Sequence, residues 1–145
     1  MLLPDVNVLV YAFRSDLEEH ALHRSFVQGL VDGDEAFGLS SLVLSGFLRV
    51  VTHPRIFAEP DPIEEALAFT AVLRESEQSV AIEPGARHWE IFARLCRTGH
   101  ARGNLVSDAY HAALAIESGC EWVTTDRDYA RFPGLRWRHP GRGPA

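Results

Sequence analysis

Short apolar runs alternate with longer amphipathic stretches along this chain, and turn residues separate them. Leu2 to about Val10 begins as a strand and turns into a helix after Asp5. Residues 20–31 carry Ala21, Leu22, Phe26, Val27, Leu30 and Val31 at helical spacing, ahead of a Gly33-Asp34 turn. Ala36 to Leu39 predicts a short strand. Ser40 then caps a helix that reaches about Thr52, before His53-Pro54. Asp61-Pro62-Ile63-Glu64 predicts another helix start, with Asp61 as cap and Pro62 at the first position, and the helix runs to about Glu77. Val80-Ala81-Ile82 predicts a strand. Pro84 to Arg97 predicts a helix ended by Gly99, and Leu105 to Ser118 a helix stopped by Gly119. Glu121 to Thr125 and Leu135-Arg136-Trp137 predict the last two strands, the second at an edge. Strands that alternate with helices predict an α/β fold: one domain over 1–145, with a mostly parallel central sheet flanked by helices. Residues 40–77, two helices with no strand between them, interrupt the alternation. Residues 139–145 are expected to form a flexible tail.

Composition narrows the class. At 145 residues, with 46% apolar and 23% charged residues, the chain suits one globular domain with a proper core. No apolar run approaches the roughly 20 residues of a membrane span, and no basic region precedes the first apolar stretch. No membrane association is expected, and the expected location is cytoplasmic. Cys96 and Cys120 give neither a disulfide framework nor a metal spacing, and read as free thiols in a reducing compartment.

Charge is uneven. The net charge is −6, but residues 1–86 hold 5 Arg against 14 acids and residues 87–145 hold 9 Arg against 6. Every basic residue is Arg, whose planar fork pairs with phosphate better than Lys does. Arg127, Arg131, Arg136, Arg138 and Arg142 cluster near the C-terminus. They form either a phosphate-contacting edge or a solvated tail.

Three acids stand out against this frame. Asp5 and Asp126 each follow a short apolar run that reads as a buried strand, and Asp108 stands at the start of a helix. Strand ends and a helix start are where an α/β sheet gathers acids into one crevice. Clustered carboxylates repel unless a cation lies among them, and an oxygen-only donor set suits Mg²⁺ or Mn²⁺. The chemistry indicated is metal-dependent phosphodiester cleavage. Singly, each acid has a plainer reading: Asp5 as a helix cap, Asp108 as an acid in a helix dipole, Asp126 as a turn residue.

The chain resembles the PIN domain family, and within it the VapC-type toxins of toxin–antitoxin pairs. The resemblance rests on Leu2-Leu3-Pro4-Asp5-Val6-Asn7-Val8-Leu9, Gly46-Phe47-Leu48-Arg49-Val50, Ser107-Asp108-Ala109, and Thr124-Thr125-Asp126-Arg127-Asp128-Tyr129 with the residues to Leu135. It covers essentially the whole chain. It implies an endoribonuclease that uses Mg²⁺ or Mn²⁺ to cleave structured RNA such as tRNA or rRNA, a cognate antitoxin that blocks the site, and a homodimer. Asp5, Asp108 and Asp126 would be both the metal ligands and the catalytic acids. Asn7 would bond Asp5 or a water, and Thr124 and Thr125 would position Asp126. Asp128 either caps the segment at Tyr129 or reaches the metal. Arg49 and Arg127 would guide RNA, although Arg49 serves equally well in a salt bridge.

One departure from the family pattern is visible. The family carries a Glu in the helix before the Arg, and here that position is Leu44 or Gly46. Neither side chain can bind a metal. The alternative reading is therefore a catalytically impaired PIN-fold module that binds RNA or antitoxin. The apolar helices at 20–31 and 40–52 either form a groove for a partner helix or face the core. His111 contacts RNA or sits in the core. Trp89, Trp122 and Trp137 read as core residues rather than stacking platforms.

Overall fold

The computed structural model describes residues 1–142. In chain order the elements are β1 (Leu2–Pro4), α1 (Val6–Phe13), α2 (His20–Asp32), β2 (Phe37–Leu39), α3 (Ser41–Val51), α4 (Ile63–Glu75), β3 (Ser79–Ala81), α5 (His88–Thr98), α6 (Asn104–Ser118), β4 (Glu121–Val123), a 3-10 turn (Arg127–Arg131) and β5 (Trp137–Arg138). The sheet order is β3-β2-β1-β4-β5, and every strand pair is parallel. The chain steps outward from β1 through β2 to β3, then returns to the other side of β1 for β4 and β5. The order therefore reverses between β1 and β4. Such a switch point opens a crevice at the carboxyl ends of the two strands, because the connections leave in opposite directions. Helix α1 packs on α2 and α3, α3 on α4, and α5 on α6. Among the described residues no helix is long and apolar enough to cross a membrane.

Local chemistry explains where the strands stop. The Asp5 N–H reaches the Val123 carbonyl at 2.9 Å, so Pro4, one residue earlier, turns its missing N–H towards β2. Pairing between β1 and β2 is correspondingly short, with Leu2 opposite Phe37, whereas β1 and β4 match over three residues. Gly119 ends α6 in the left-handed conformation at φ 71°, and its N–H caps the Ala115 and Ile116 carbonyls. The buried face of α6 carries Ala109, Ala112, Ala113 and Ala115, small side chains that let this helix lie close to its neighbours.

Two expectations need correction, and one open alternative is decided. Asp61 does not cap α4: Pro62 holds the cap position, and the Asp61 carboxylate accepts from Arg14 at 2.9 Å. Arg14, buried at the end of α1, also binds both oxygens of Asp16 and the Glu59 carbonyl, and its guanidinium lies 3.7 Å above the Phe57 ring. A buried guanidinium requires such a complete set of acceptors, and tertiary demand overrode the local cap. Trp89 is not core; it is 70% exposed on α5, while Trp122 is fully buried. The apolar face of α3 is core, with Val43, Leu44, Phe47 and Val51 buried. A groove of about 270 Å³ lies between α2 and α4 over α1, with Val27, Val31, Phe69 and Val72 on its walls beside Arg24 and Gln28. Of the tail expected over 139–145, Pro140 is buried and Gly141 stands against Leu22 of α2; residues 143–145 lie outside the described residues.

Gly46 explains itself at the α1–α3 crossing. A Cβ there would stand 2.9 Å from Cγ2 of Val6, the residue after Asp5. The side chain of Val6 is branched and short, so it cannot swing aside without moving the start of α1. Gly46→Ala is therefore expected to destabilise the protein by roughly 1 kcal/mol, because overpacking outweighs the gain in helix propensity. In a Val6→Ala background the same change is expected to stabilise by roughly 1 kcal/mol. Urea denaturation of the four proteins reads this reversal of sign, and two effects of the same sign would reject the contact.

Candidate active site at the sheet switch point

Asp5 follows β1 directly and is also the cap of α1. Its Oδ1 accepts from the N–H of Val6, the first residue of the helix, at 2.7 Å. Its Oδ2 accepts from the Thr124 hydroxyl at 2.7 Å and from the Asn7 amide at 3.1 Å. The two oxygens of this carboxylate thus have different partners, one at the start of α1 and the other among Thr124 and Asn7.

Thr124, fully buried after β4, is the centre of this network. While donating to Asp5, its Oγ1 accepts from Asn7 Nδ2 at 3.1 Å and from the Asp126 N–H at 3.0 Å. One donor and two lone pairs are thus all engaged. Thr125, expected to position Asp126 by its side chain, contributes its backbone N–H to Asn7 Oδ1 at 3.3 Å. Asp126 opens the 3-10 turn and accepts from the Asp128 N–H at 2.8 Å. Asp128 is exposed and reaches Asp126 through its backbone.

Asp108 comes from the opposite side. It lies at the start of the second turn of α6, which begins at Asn104, one residue before the expected start at Leu105. The buried Tyr129 hydroxyl donates to its Oδ1 at 3.3 Å. The structure therefore gathers Asp5, Asp108, Asp126, Asn7 and the backbone of Thr125 at the carboxyl ends of β1 and β4. Arg49 and Arg127 are exposed and form no side-chain bond to these acids among the described residues. Arg131 lies close enough to Asp108 to favour its charged form. Arg138 pairs with Glu121 and Arg136 binds the Gly119 carbonyl, which takes both away from the acids. His111 is a core residue, buried and stacked on Trp122.

Sequence reasoning missed two residues. Tyr129 carries no local signal, being one aromatic in a turn. Glu83 did carry one, since it follows the apolar run Val80-Ala81-Ile82 as Asp5 and Asp126 follow theirs. It caps the start of α3 through Ser41 N–H and Oγ at 3.0 and 2.8 Å. It also lines a cavity of about 670 Å³ with Ser45, Phe92, Tyr110 and Ser107, the residue before Asp108 in α6.

Electrostatically this is a strained cluster. Burial pushes the Asp5 carboxyl up to about 6, against the pull of its bonds from Thr124 and Val6, and the charges of Asp108 and Asp126 push it further. Burial also raises Asp108; the Tyr129 bond opposes this, and Asp126 and Asp128 add to it. Burial together with the three nearby acids raises the Tyr129 phenol, so it stays a donor. Asp5, Asp108 and Asp126 do not form a group whose oxygens all lie within 4.8 Å of one another.

The PIN domain family model matches residues 2–135. A VapC ribonuclease of Mycobacterium bovis is 46% identical over 140 residues, covering 97% of this chain and 95% of its own length. The ribonuclease VapC25 of Mycobacterium tuberculosis is 38% identical, covering 97% and 99%. Among solved structures, VapBC2 of Rickettsia felis bound to a promoter DNA fragment superposes with a TM-score of 0.68 at 17% identity, over 95% of this chain and 97% of that one. VapC20 of Mycobacterium tuberculosis, a toxin that cleaves the sarcin-ricin loop, superposes with a TM-score of 0.65 at 16% identity, over 94% and 99%.

The raised Asp5 carboxyl has a consequence for stability. Its folded value, about 6, lies above its ordinary 3.8, so folding favours the protonated acid. That stabilisation is complete below about pH 4 and is lost as pH rises through 6. Without divalent ions, Asp5 alone is expected to lower the unfolding free energy by roughly 3 kcal/mol between about pH 4 and pH 7. Urea denaturation across this range reads it, and Asp5→Asn is expected to flatten the slope. An undiminished slope in Asp5→Asn would show that another group carries it.

Proposed function

The chain belongs to the PIN domain family, and on that premise we propose that it is a divalent-metal-dependent endoribonuclease, the toxin of a toxin–antitoxin pair. The observation that carries this reading is the meeting of three carboxylates at the β1/β4 switch point, with Asp5 buried and held ionised only against its surroundings. The donor set is oxygen only, which fits Mg²⁺ or Mn²⁺. Asp5, Asp108 and Asp126 would hold the ion. A bound cation supplies positive charge to balance the acids and Lewis acidity for the phosphodiester.

The chain's own residues do the positioning. Thr124 and Asn7 fix the Asp5 carboxylate, and Tyr129 orients Asp108. The Thr124–Asp126 bond shapes the turn after β4, and the Thr124–Asp5 bond couples that turn to the strand end of β1. Asp108 and Asp126 each keep a carboxylate oxygen outside these bonds. RNA is supported as substrate by exposed Trp89, with its ring centre 5.3 Å from that of Phe92, which stands 5.4 Å from Tyr110 on the wall of the cavity that Ser107 also lines. Such an aromatic step suits an unpaired base. Arg127 and Arg131 flank the acids and would meet the RNA backbone. The groove between α2 and α4 would take an apolar antitoxin helix. The same reading includes a homodimer and a structured RNA target such as tRNA or rRNA, as the family resemblance implies; the VapC20 relative in fold, a sarcin-ricin loop cleaving toxin, is in keeping with the latter.

The second reading, a PIN-fold binding module, is favoured by one observation. Leu44 is buried in the core and Gly46 meets Val6, so neither position has room for an acid. Restoring Glu at either would test packing rather than chemistry.

Cleavage of total tRNA and ribosomal RNA by the purified protein separates the two readings. Discrete products are expected with Mg²⁺ or Mn²⁺ and none with EDTA. Asp108→Ala is expected to lower the rate by roughly 100-fold or more, the scale for removing one group of a preorganised charge site. RNA binding without metal-dependent products would support the module instead. Thr124→Val, which keeps the shape but removes the bond to Asp5, is expected to lose roughly 10- to 100-fold in activity, with Thr124→Ser restoring most of it. Full activity in Thr124→Val would mean that Asp5 needs no such positioning.

A further inference from the structure

We propose that Glu19, His23 and His139 form a second metal site, for a transition-metal dication such as Zn²⁺, which clasps the segment after β5 onto α2. Ligand-capable atoms of these three side chains all lie within 4.8 Å of one another. His23 carries the argument. It is fully buried, and its Nδ1 lies 2.8 Å from the Glu19 carbonyl oxygen. A carbonyl only accepts, so the proton of the neutral ring is on Nδ1 and the lone pair is on Nε2. That Nε2 is buried and has no hydrogen-bond partner. A histidine whose far nitrogen is locked by a backbone carbonyl presents its near nitrogen in the tautomer and orientation that a metal requires. Tyr11 stacks on the ring at 4.8 Å and holds its plane.

The other two ligands are the adjustable ones. His139 meets His23 edge to face at 6.1 Å between ring centres, and its Nδ1 accepts from the Gly141 N–H at 3.0 Å. Metal capture exchanges that exposed bond. Glu19 is exposed on the rim. Ligands of one tetrahedral Zn²⁺ stand roughly 3.4 Å apart, so these two side chains draw in towards the fixed His23. The donor set of two imidazoles and a carboxylate selects Zn²⁺-like ions, whereas the oxygen-only acids select Mg²⁺-like ones. The two sites are neighbours: the Arg138 carbonyl, one residue before His139, accepts from the Thr124 N–H at 3.0 Å. A metal at His139 therefore braces the strand on which Thr124 hangs. Nothing in this inference requires the nuclease reading.

Co²⁺ titration of the full-length, chelator-stripped protein tests it, since tetrahedral Co²⁺ absorbs in the visible and Zn²⁺ displaces it. Stoichiometric bands are expected in the native protein and in Asp108→Asn. His139→Ala is expected to weaken binding by more than the roughly 10- to 100-fold that loss of an outer-shell partner produces, and Glu19→Gln is expected to alter the bands. Because His23 is buried, the half-exposed His139 and exposed Glu19 carry the test. Zn²⁺ is also expected to raise the Tm of the native protein and of Asp108→Asn, but not that of His139→Ala. Absent bands, or bands that survive in His139→Ala and vanish in Asp108→Asn, would overturn the proposal.

Discussion

Thr124 Oγ1 donates to Asp5 while accepting from Asn7 and from the Asp126 backbone, and the arrangement of the site depends on that one buried hydroxyl. Asp5 lies at the end of the central strand, where water cannot screen it. An ionised carboxylate there is tolerated only with a full set of donors, and Thr124, Asn7 and the start of α1 supply them. The same bonds join the ends of β1 and β4, the two strands between which the sheet order reverses. Stability and site geometry are therefore set by the same contacts. The residual strain, visible in the raised Asp5 carboxyl, is what a cation would relieve.

The crossing of α1 and α3 limits how much charge the site can hold. Where a fourth acid would be expected, Gly46 lets α3 approach Val6, and Leu44 fills core volume. The close approach of the two helices leaves no room for a carboxylate there. Fewer negative charges mean weaker attraction for a divalent ion, so each remaining acid matters more. Glu83 and the serines at positions 41, 45 and 107 bring polar groups to the neighbouring cavity without restoring that charge.

Arg14 plays a comparable structural part on the other side of α1. Its contacts with Asp16, Asp61, Glu59 and Phe57 secure the long connection before α4. They also show why a local signal can fail. Asp61-Pro62 has the composition of a helix start, yet a buried guanidinium elsewhere in the chain had the stronger claim on the carboxylate.

How much of this was legible beforehand depended on the range of the interactions. The alternation of strands and helices, the stop at Gly119, the cap at Ser40 and the acids after β1 and β4 are local, and the order of residue types alone was enough to determine them. The parallel α/β class and the trio Asp5, Asp108 and Asp126 followed. What the sequence could not specify were contacts between residues more than a hundred positions apart, or choices between partners of equal local merit. Tertiary structure decided that Thr124 rather than Thr125 provides the hydroxyl, that Tyr129 joins Asp108, and that Trp89 faces solvent while α3 faces the core. It also brought His23 and His139 together, since no spacing rule links positions on a helix and beyond an edge strand. The physical reason is the same in each case: hydrogen bonds and packing are satisfied in three dimensions, and only the folded sheet determines which groups are close enough to compete.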